Sequence, residues 1–200
     1  MIHKPESHEA IVVLIPDADP DKDRYSATSA AGRTTVVPVP DVDGAVQVAL
    51  RLVREGVGRI ELCGGLGPAA AGTILARLAE RGEHSVAVGA VSFGIESVDG
   101  AARFQHRIES QQPMTAGFIF LHPGLDPVED RGVIHAGGLR TLLVPVPDQS
   151  RVASVAADLV EREHSELIEL YRGIGSVTTT SVIGAVAARA PVGAARYEHA

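Results

Sequence analysis

Cysteine is almost missing from this 200-residue chain. Cys63 stands alone, which excludes a disulfide framework and any multi-cysteine zinc or iron–sulfur centre. Lysine occurs only as Lys4, near the N-terminus, and Lys22, in a polar stretch. Schiff-base chemistry needs a buried lysine of lowered pKa, so class I aldolase and pyridoxal-phosphate mechanisms are not expected. Tryptophan is absent and aromatics are 4% of the residues, too few for a surface that stacks bases or flavins. No apolar run reaches the roughly 18 residues of a spanning helix, and Met1–His8 carries no apolar leader segment. The net charge of −7 counts against nucleic acid and anionic membranes as partners. What remains is an expected cytoplasmic protein whose partner is a small molecule. A homo-oligomer is compatible with the sequence.

What is present is a globular composition, 45% hydrophobic and 22% charged, with enough chain to bury a core without staples. The dominant feature is an internal repeat. Residues 11–41 and 118–148 align in constant register. Asp19-Pro20 meets Asp126-Pro127, Asp23-Arg24 meets Asp130-Arg131, and Val37-Pro38-Val39-Pro40-Asp41 meets Val144-Pro145-Val146-Pro147-Asp148. The match runs on through Ile60-Glu61-Leu62 with Ile168-Glu169-Leu170, Gly65 and Gly67 with Gly173 and Gly175, and Val88-Gly89-Ala90 with Val192-Gly193-Ala194. The chain therefore reads as repeat one over 9–95, a polar connector over 96–115 with a short helix around 100–108, and repeat two over 116–200.

Each repeat predicts the order β-β-α-β-α-β. Apolar runs at 11–15 and 118–121 form a first strand and those at 34–39 and 141–146 a second, each ending where proline lacks the N–H to continue a ladder. Asp41 and Asp148 then cap helices whose apolar residues recur at helical spacing. Strands at 59–63 and 167–171, glycine turns, helices at about 68–81 and 176–189, and strands at 86–92 and 192–197 complete the units. Strands joined through helices should be parallel, with right-handed crossovers. Two helices cover a four-stranded sheet poorly, so the repeats should pack on each other about a pseudo-twofold axis, either as a barrel-like body or as two adjacent sheets.

The Pro16-Asp17-Ala18-Asp19-Pro20 loop, the Arg59-Ile60-Glu61-Leu62-Cys63-Gly64-Gly65-Leu66-Gly67 strand and turn, and the Pro191-Val192-Gly193 strand resemble the DUF6506 family of small bacterial α/β proteins. The resemblance covers both repeats, with Tyr171-Arg172 departing from Cys63-Gly64. It implies the fold and a dimer-like pairing of units, and it implies no reaction.

In parallel α/β folds, ligands bind at the carboxyl ends of the strands. Glu61 and Glu169 are the sharpest candidates there. Each lies inside an apolar strand, and a buried carboxylate is costly unless it has a partner or a ligand. Each reads as a general base of raised pKa, or as a structural carboxylate paired with Arg24, Arg33, Arg131 or Arg140 or with backbone N–H groups. Asp19 with Arg24, and Asp126 with Arg131, lie in long irregular loops. There the arginines could grip an anion, or the aspartates could simply form Asx turns. Gly65, Gly67, Gly173 and Gly175 could present N–H groups to an anion, or form tight turns. His122 and His135, together with Asp126, Glu129 or Glu169, could form an acid–base pair or an open metal site, or be structural residues, and Tyr171 could be a phenolic donor to a ligand. Cys63 reads chiefly as core. His3, His8, His84, His106, His164 and His199 read as tail, loop or surface.

The turns do not match GxGxxG, and the strand that follows lacks a ribose-binding acid. Neither histidine spacing is a recognised ligand motif, so no cofactor and no metal are expected. Two functions follow as expectations. One is a cofactor-independent enzyme, with Glu61, Glu169, His122 and His135 transferring protons on a small carboxylate- or phosphate-bearing metabolite (isomerase, lyase or hydrolase). The other is a non-catalytic ligand-binding or assembly module.

Overall fold

The computed structural model describes residues 7–199, with side chains to Tyr197. The expectation of no leader concerns Met1–His8, of which Met1–Glu6, like the side chain of His199, lies outside the described residues. Repeat one comprises β1 (Ser7–Leu14), β2 (Tyr25–Ser29), β3 (Gly32–Val39), α1 (Val42–Arg54), β4 (Arg59–Leu62), α2 (Gly67–Ala79) and β5 (Ala87–Phe93). The connecting helix is α3 (Ile95–Glu109). Repeat two comprises β6 (Met114–Leu121), β7 (Gly132–Ala136), β8 (Leu139–Val146), α4 (Val152–Arg162), β9 (Leu167–Tyr171), α5 (Ser176–Val186) and β10 (Val192–His199). Among the described residues, no helix is long and apolar enough to cross a membrane.

All strands join one ten-stranded sheet in the order β2-β3-β1-β4-β5-β10-β9-β6-β8-β7. Within each repeat the strands linked through helices are parallel, as expected. The repeats meet at the centre of the sheet through an antiparallel β5–β10 ladder that sets Phe93 opposite Gly193 and Gly89 opposite Tyr197. The sheet curls until its outer strands touch. The Tyr25 hydroxyl donates to the Asp130 carbonyl at 2.7 Å and the Ser29 hydroxyl to the Pro123 carbonyl at 2.8 Å. The result is a nearly closed, barrel-like sheet, one of the two arrangements the repeat allowed.

Three details depart from the expected pattern. Each repeat has an extra strand, β2 or β7, antiparallel to its neighbour. These five-residue strands bury one side chain each, Ala27 and Ile134, so they carry almost no hydrophobic signal. The glycines Gly32 (φ 123°) and Gly137–Gly138 (φ 54° and 78°) make the hairpin turns. The connector helix is also longer than 100–108. His8, expected in a tail, lies in β1 with its Nε2 3.2 Å from the Thr35 hydroxyl.

The prolines behave as their chemistry requires. The Val39 carbonyl accepts from the Ile15 N–H at 2.9 Å, so Val39 directs its polar groups at β1. Pro38, one residue earlier, faces the other edge, where β2 has already stopped pairing at Val36, and no donor is missed there. The Val146 carbonyl and His122 N–H repeat this at 2.8 Å beside Pro145. The strands end before Pro40 and Pro147. Asp41 caps α1 by accepting from the Gly44 N–H at 2.7 Å, and Asp148 caps a 3-10 turn before α4 by accepting from the Ser150 N–H at 2.8 Å.

Two cores follow from the alternation of side chains across a strand. Ile168 and Leu170 of β9 pack with Val152, Ala156, Leu159 and Val182 of α4 and α5. Leu167 and Tyr171, from the opposite face of β9, join a larger core with β1, β4 and α3 residues of the first half. Glu169 shares that inner face. The barrel interior is thus common to both repeats.

Candidate functional site

Glu61 and Glu169 face each other across the interior in a reciprocal arrangement. The Arg172 N–H donates to both Glu61 carboxylate oxygens, at 2.8 and 2.9 Å. The Gly64 N–H donates to Glu169 Oε1 at 3.0 Å. Arg172 and Gly64 occupy equivalent places, three residues beyond their own repeat's glutamate. Each repeat therefore satisfies the other's buried carboxylate with a backbone N–H just past its strand. Both glutamates are nearly inaccessible, at 1% and 3% exposure. Burial pushes the Glu61 carboxyl up to about 8, against the pull of the Arg172 N–H, with the nearby Glu9 adding to the rise. Burial pushes Glu169 up to about 7, against the Tyr171 hydroxyl and the Gly64 N–H.

The central ladder repeats the reciprocity with aromatic rings. A Cβ on Gly193 would lie 2.8 Å from the Phe93 ring, and one on Gly89 would lie 2.9 Å from the Tyr197 ring. Each glycine makes room for the other repeat's ring. The Tyr197 hydroxyl donates to Glu61. Phe93 has no hydroxyl, and Glu169 takes a hydrogen bond from Tyr171 of its own strand instead.

The two ends of the barrel then diverge. At the Glu61 end the Arg172 side chain fills the interior, only 8% exposed. Its Nε donates to Glu9 Oε2 at 2.9 Å and its Nη1 donates to the Thr34 hydroxyl and to His122 Nδ1. Because Nδ1 accepts from a cation, the proton of a neutral His122 sits on Nε2. Among the described residues that buried nitrogen has no partner. Burial and then Arg172 hold the His122 pKa below its ordinary value. Arg59 closes this end by stacking 4.8 Å over the Tyr197 ring.

At the Glu169 end the equivalents are small or apolar: Gly64 for Arg172, Ala116 for Glu9, Leu167 for Arg59 and Ile15 for His122. Thr141, the counterpart of Thr34, has a buried hydroxyl without a partner among the described residues. Without an arginine to fill it, the space stays open as a cavity of about 410 Å³. Glu169 lies in its wall, Val13, Leu14, Phe93, Phe118 and Leu167 surround it, and Phe104, Gln105 and Ile108 of α3 roof it. Among the described residues, α3 is the helix that connects the repeats, and it roofs this end. Cys63 also lines the cavity, accepting the Leu14 N–H at 3.1 Å, and burial pushes its thiol up to about 12. It is a packing residue rather than a nucleophile.

The structure brings together only part of the expected constellation. Glu169, Tyr171 and Gly65 lie at or beside the cavity, whereas Glu61 and His122 belong to the opposite, filled end. His135 is exposed on β7. Asp19 accepts from the Asp21 and Lys22 N–H groups at 3.0 and 3.3 Å, and Asp126 from those of Val128 and Glu129 at 2.7 and 3.2 Å, both as Asx turns. Arg24 sits 3.8 Å from Glu55, and Arg131 sits 2.9 Å from Glu163. These arginines tie their loops to the helix ends and contact neither glutamate. Gly67 (φ 60°) and Gly173 (φ 76°) make tight turns, and Gly175 precedes α5 with its N–H on the Gln149 side chain. Among the described residues, no group of His, Cys, Asp and Glu could hold a metal.

Sequence reasoning missed Arg172, Glu9, Thr34, Tyr197 and the roof residues Phe104 and Ile108. The usable signal was the mismatch of Cys63-Gly64 with Tyr171-Arg172, a change from no side chain to a long cation at one repeat position.

A family model described as a family of unknown function, DUF6506, matches residues 7–106 and again 114–200. No curated protein matches. A carbohydrate transporter from Acidothermus cellulolyticus 11B, solved with myo-inositol, is 14% identical with 95% of this chain and 74% of that chain covered, at a TM-score of 0.32. An ABC transporter solute binding protein from Burkholderia graminis C4D1M, solved with D-arabinose, is 15% identical with 94% and 75% covered, at a TM-score of 0.29. A conserved domain protein from Vibrio cholerae is 11% identical with 94% and 73% covered, at a TM-score of 0.30. At scores this low the likeness carries no argument about this chain.

Proposed function

We infer that this chain, which belongs to the DUF6506 family as a tandem of two units, is a small-molecule binding protein whose ligand sits beneath α3 against Glu169. The observation that carries this reading is the asymmetry of the ends. Arg172 fills one, and Gly64, its counterpart, leaves a cavity of about 410 Å³ at the other. That volume lies within the ~300–1,000 Å³ usual for ligand pockets, and a mostly apolar wall with a few polar groups, here Glu169, Gln105 and Glu109, is their usual make-up. The anion grip expected from Arg24 and Arg131 has no part in it, because Arg24 sits against Glu55 and Arg131 against Glu163, and neither lines the cavity.

A catalytic reading has one observation in its favour. A carboxyl pushed up to about 7 beside a tyrosine hydroxyl, in the wall of a cavity, is placed to take and return a proton. Exchange of ligand C–H protons for solvent deuterium, lost in Glu169→Gln, would favour it. Binding itself is tested by filling the cavity from its roof. Ala101 lines it, and Ala101→Trp should abolish the thermal shift that apolar compounds give the wild-type protein. Equal shifts in both proteins would place the ligand elsewhere.

A further inference from the structure

We propose that the cavity beneath α3 selects an amine carried on an apolar body, with its nitrogen paired to Glu169. This deepens the binding reading above and rests on it.

Three features of the wall point to that class. First, the charged groups that line it, among the described residues, are acidic. Glu169 lies in the interior and Glu109 lies on α3, while Lys, Arg and His are absent from the wall. A carboxylate or phosphate would be enclosed beside Glu169 with no cation to receive it, and such burial is costly. Second, Glu169 has accepting capacity to spare. Oε1 takes one hydrogen bond from the Gly64 N–H and Oε2 takes one from the Tyr171 hydroxyl, whereas a carboxylate offers about four lone-pair sites. Both bonds hold the carboxylate still, and an ammonium brings the donors that its remaining lone pairs lack. Third, the rest of the wall suits a cation on a hydrocarbon body. Three of the four phenylalanines in the chain, Phe93, Phe104 and Phe118, line it, and ring faces attract cations. A sugar or polyol would find few partners for its hydroxyls. The Gln105 NH2 already donates to Glu109 at 3.3 Å, leaving its carbonyl, and the Cys63 sulfur accepts the Leu14 N–H.

The other end of the barrel supplies an internal precedent. There Arg172, a cation on a hydrocarbon stem, occupies the matching space and meets Glu9. The carboxylate that meets that cation, Glu9, is replaced by Ala116 at the other end, so the precedent is for a cation on a hydrocarbon stem filling the space, and Glu169 is the buried carboxylate left there to pair with it.

The test uses three compounds of one shape, 2-phenylethylamine, 2-phenylethanol and phenylacetate, titrated calorimetrically into the full chain at pH 8. The amine should bind at least tenfold more tightly than the alcohol, and phenylacetate should bind more weakly than either. Glu169→Gln should weaken the amine at least tenfold and leave the alcohol within about twofold. Ala101→Trp should remove binding of both. Equal affinities for amine and alcohol, or a preference for phenylacetate, would overturn the charge selection while leaving the cavity a binding site. Failure of all three to bind at millimolar concentration, or binding unchanged by Ala101→Trp, would overturn the site reading as well.

Discussion

At one end of the barrel Glu61 shares the interior with Arg172, Glu9, Thr34, His122 and Tyr197. At the other Glu169 shares it with Gly64, Tyr171 and three phenylalanine rings. Both glutamates keep the same backbone partner from the opposite repeat, so the pairing of the halves does not depend on what fills either end. A duplicated unit can therefore hold its fold with one set of positions while a second set varies. Here variation made one end a closed polar network and the other an open apolar chamber. A monomeric ancestor pairing with a copy of itself would have had two identical ends. Tandem joining removes that constraint and supplies a single connecting helix to roof one of them.

The largest effect should come from making the filled end resemble the open one. Arg172→Gly removes a cation that is 8% exposed from a carboxylate that is 15% exposed, and strands the Thr34 and His122 contacts. Breaking such a pair costs about 3–5 kcal/mol. The backbone at Arg172 has φ 58°, which strains arginine and not glycine, so relief of that strain works against the loss and the measured cost is a lower bound on what the side chain contributes. A urea-melt difference below about 1 kcal/mol would mean that the network is not stabilising.

The next effect separates the two glutamates by pH. A buried carboxyl whose folded pKa lies above its unfolded value of 4.5 keeps its proton in the folded state after the unfolded chain has lost it. Stability is then greatest at the acid side of the window and falls as pH rises through it, by at most about 1.4 kcal/mol per pH unit for each group. The window runs to about 8 for Glu61 and to about 7 for Glu169. Glu61→Gln should flatten the melting profile across both parts of that range, and Glu169→Gln only below about 7. Profiles that rise with pH would contradict the burial of both groups in the folded state.

A smaller pair of changes tests the reciprocal rings. A Cβ on Gly89 would lie 2.7 Å from the Arg196 carbonyl, and one on Gly193 would lie 2.5 Å from the Val91 side chain and 2.8 Å from Phe93. Each alanine should cost about 1–3 kcal/mol by overpacking. Gly193→Ala should also displace Phe93 and weaken ligand binding, whereas Gly89→Ala should leave binding unchanged. Equal effects on binding would blur the distinction between the ends.

The repeat was the most legible feature of the sequence because it is a comparison of the chain with itself and needs no propensity scale. The pairing of Ile60-Glu61-Leu62 with Ile168-Glu169-Leu170 already placed two carboxylates inside apolar strands, and the structure buries both. β2 and β7 were hidden because each buries a single side chain, and their pairing is specified by neighbouring strands and turn glycines rather than by periodicity. The charge on Arg24 and Arg131 suggested an anion site, yet an arginine near a loop finds the nearest helix-end glutamate first. Arg172 was visible as a mismatch between repeats, but its role emerges only when the curl of the sheet brings Glu9, Thr34 and His122 around it. The cavity was the least legible feature, since it is a space defined by what Gly64 lacks and by the distance α3 travels to roof it.

The claim that the ends have parted, one filled by the chain and one left for a ligand, is tested most directly by amide chemical-shift mapping with saturating 2-phenylethylamine. Shifts should concentrate at Gly64, Gly65, Phe104, Ile108 and Glu169, with Glu9, His122 and Arg172 unmoved. Shifts concentrated around Arg172, or none anywhere in the chain, would contradict it.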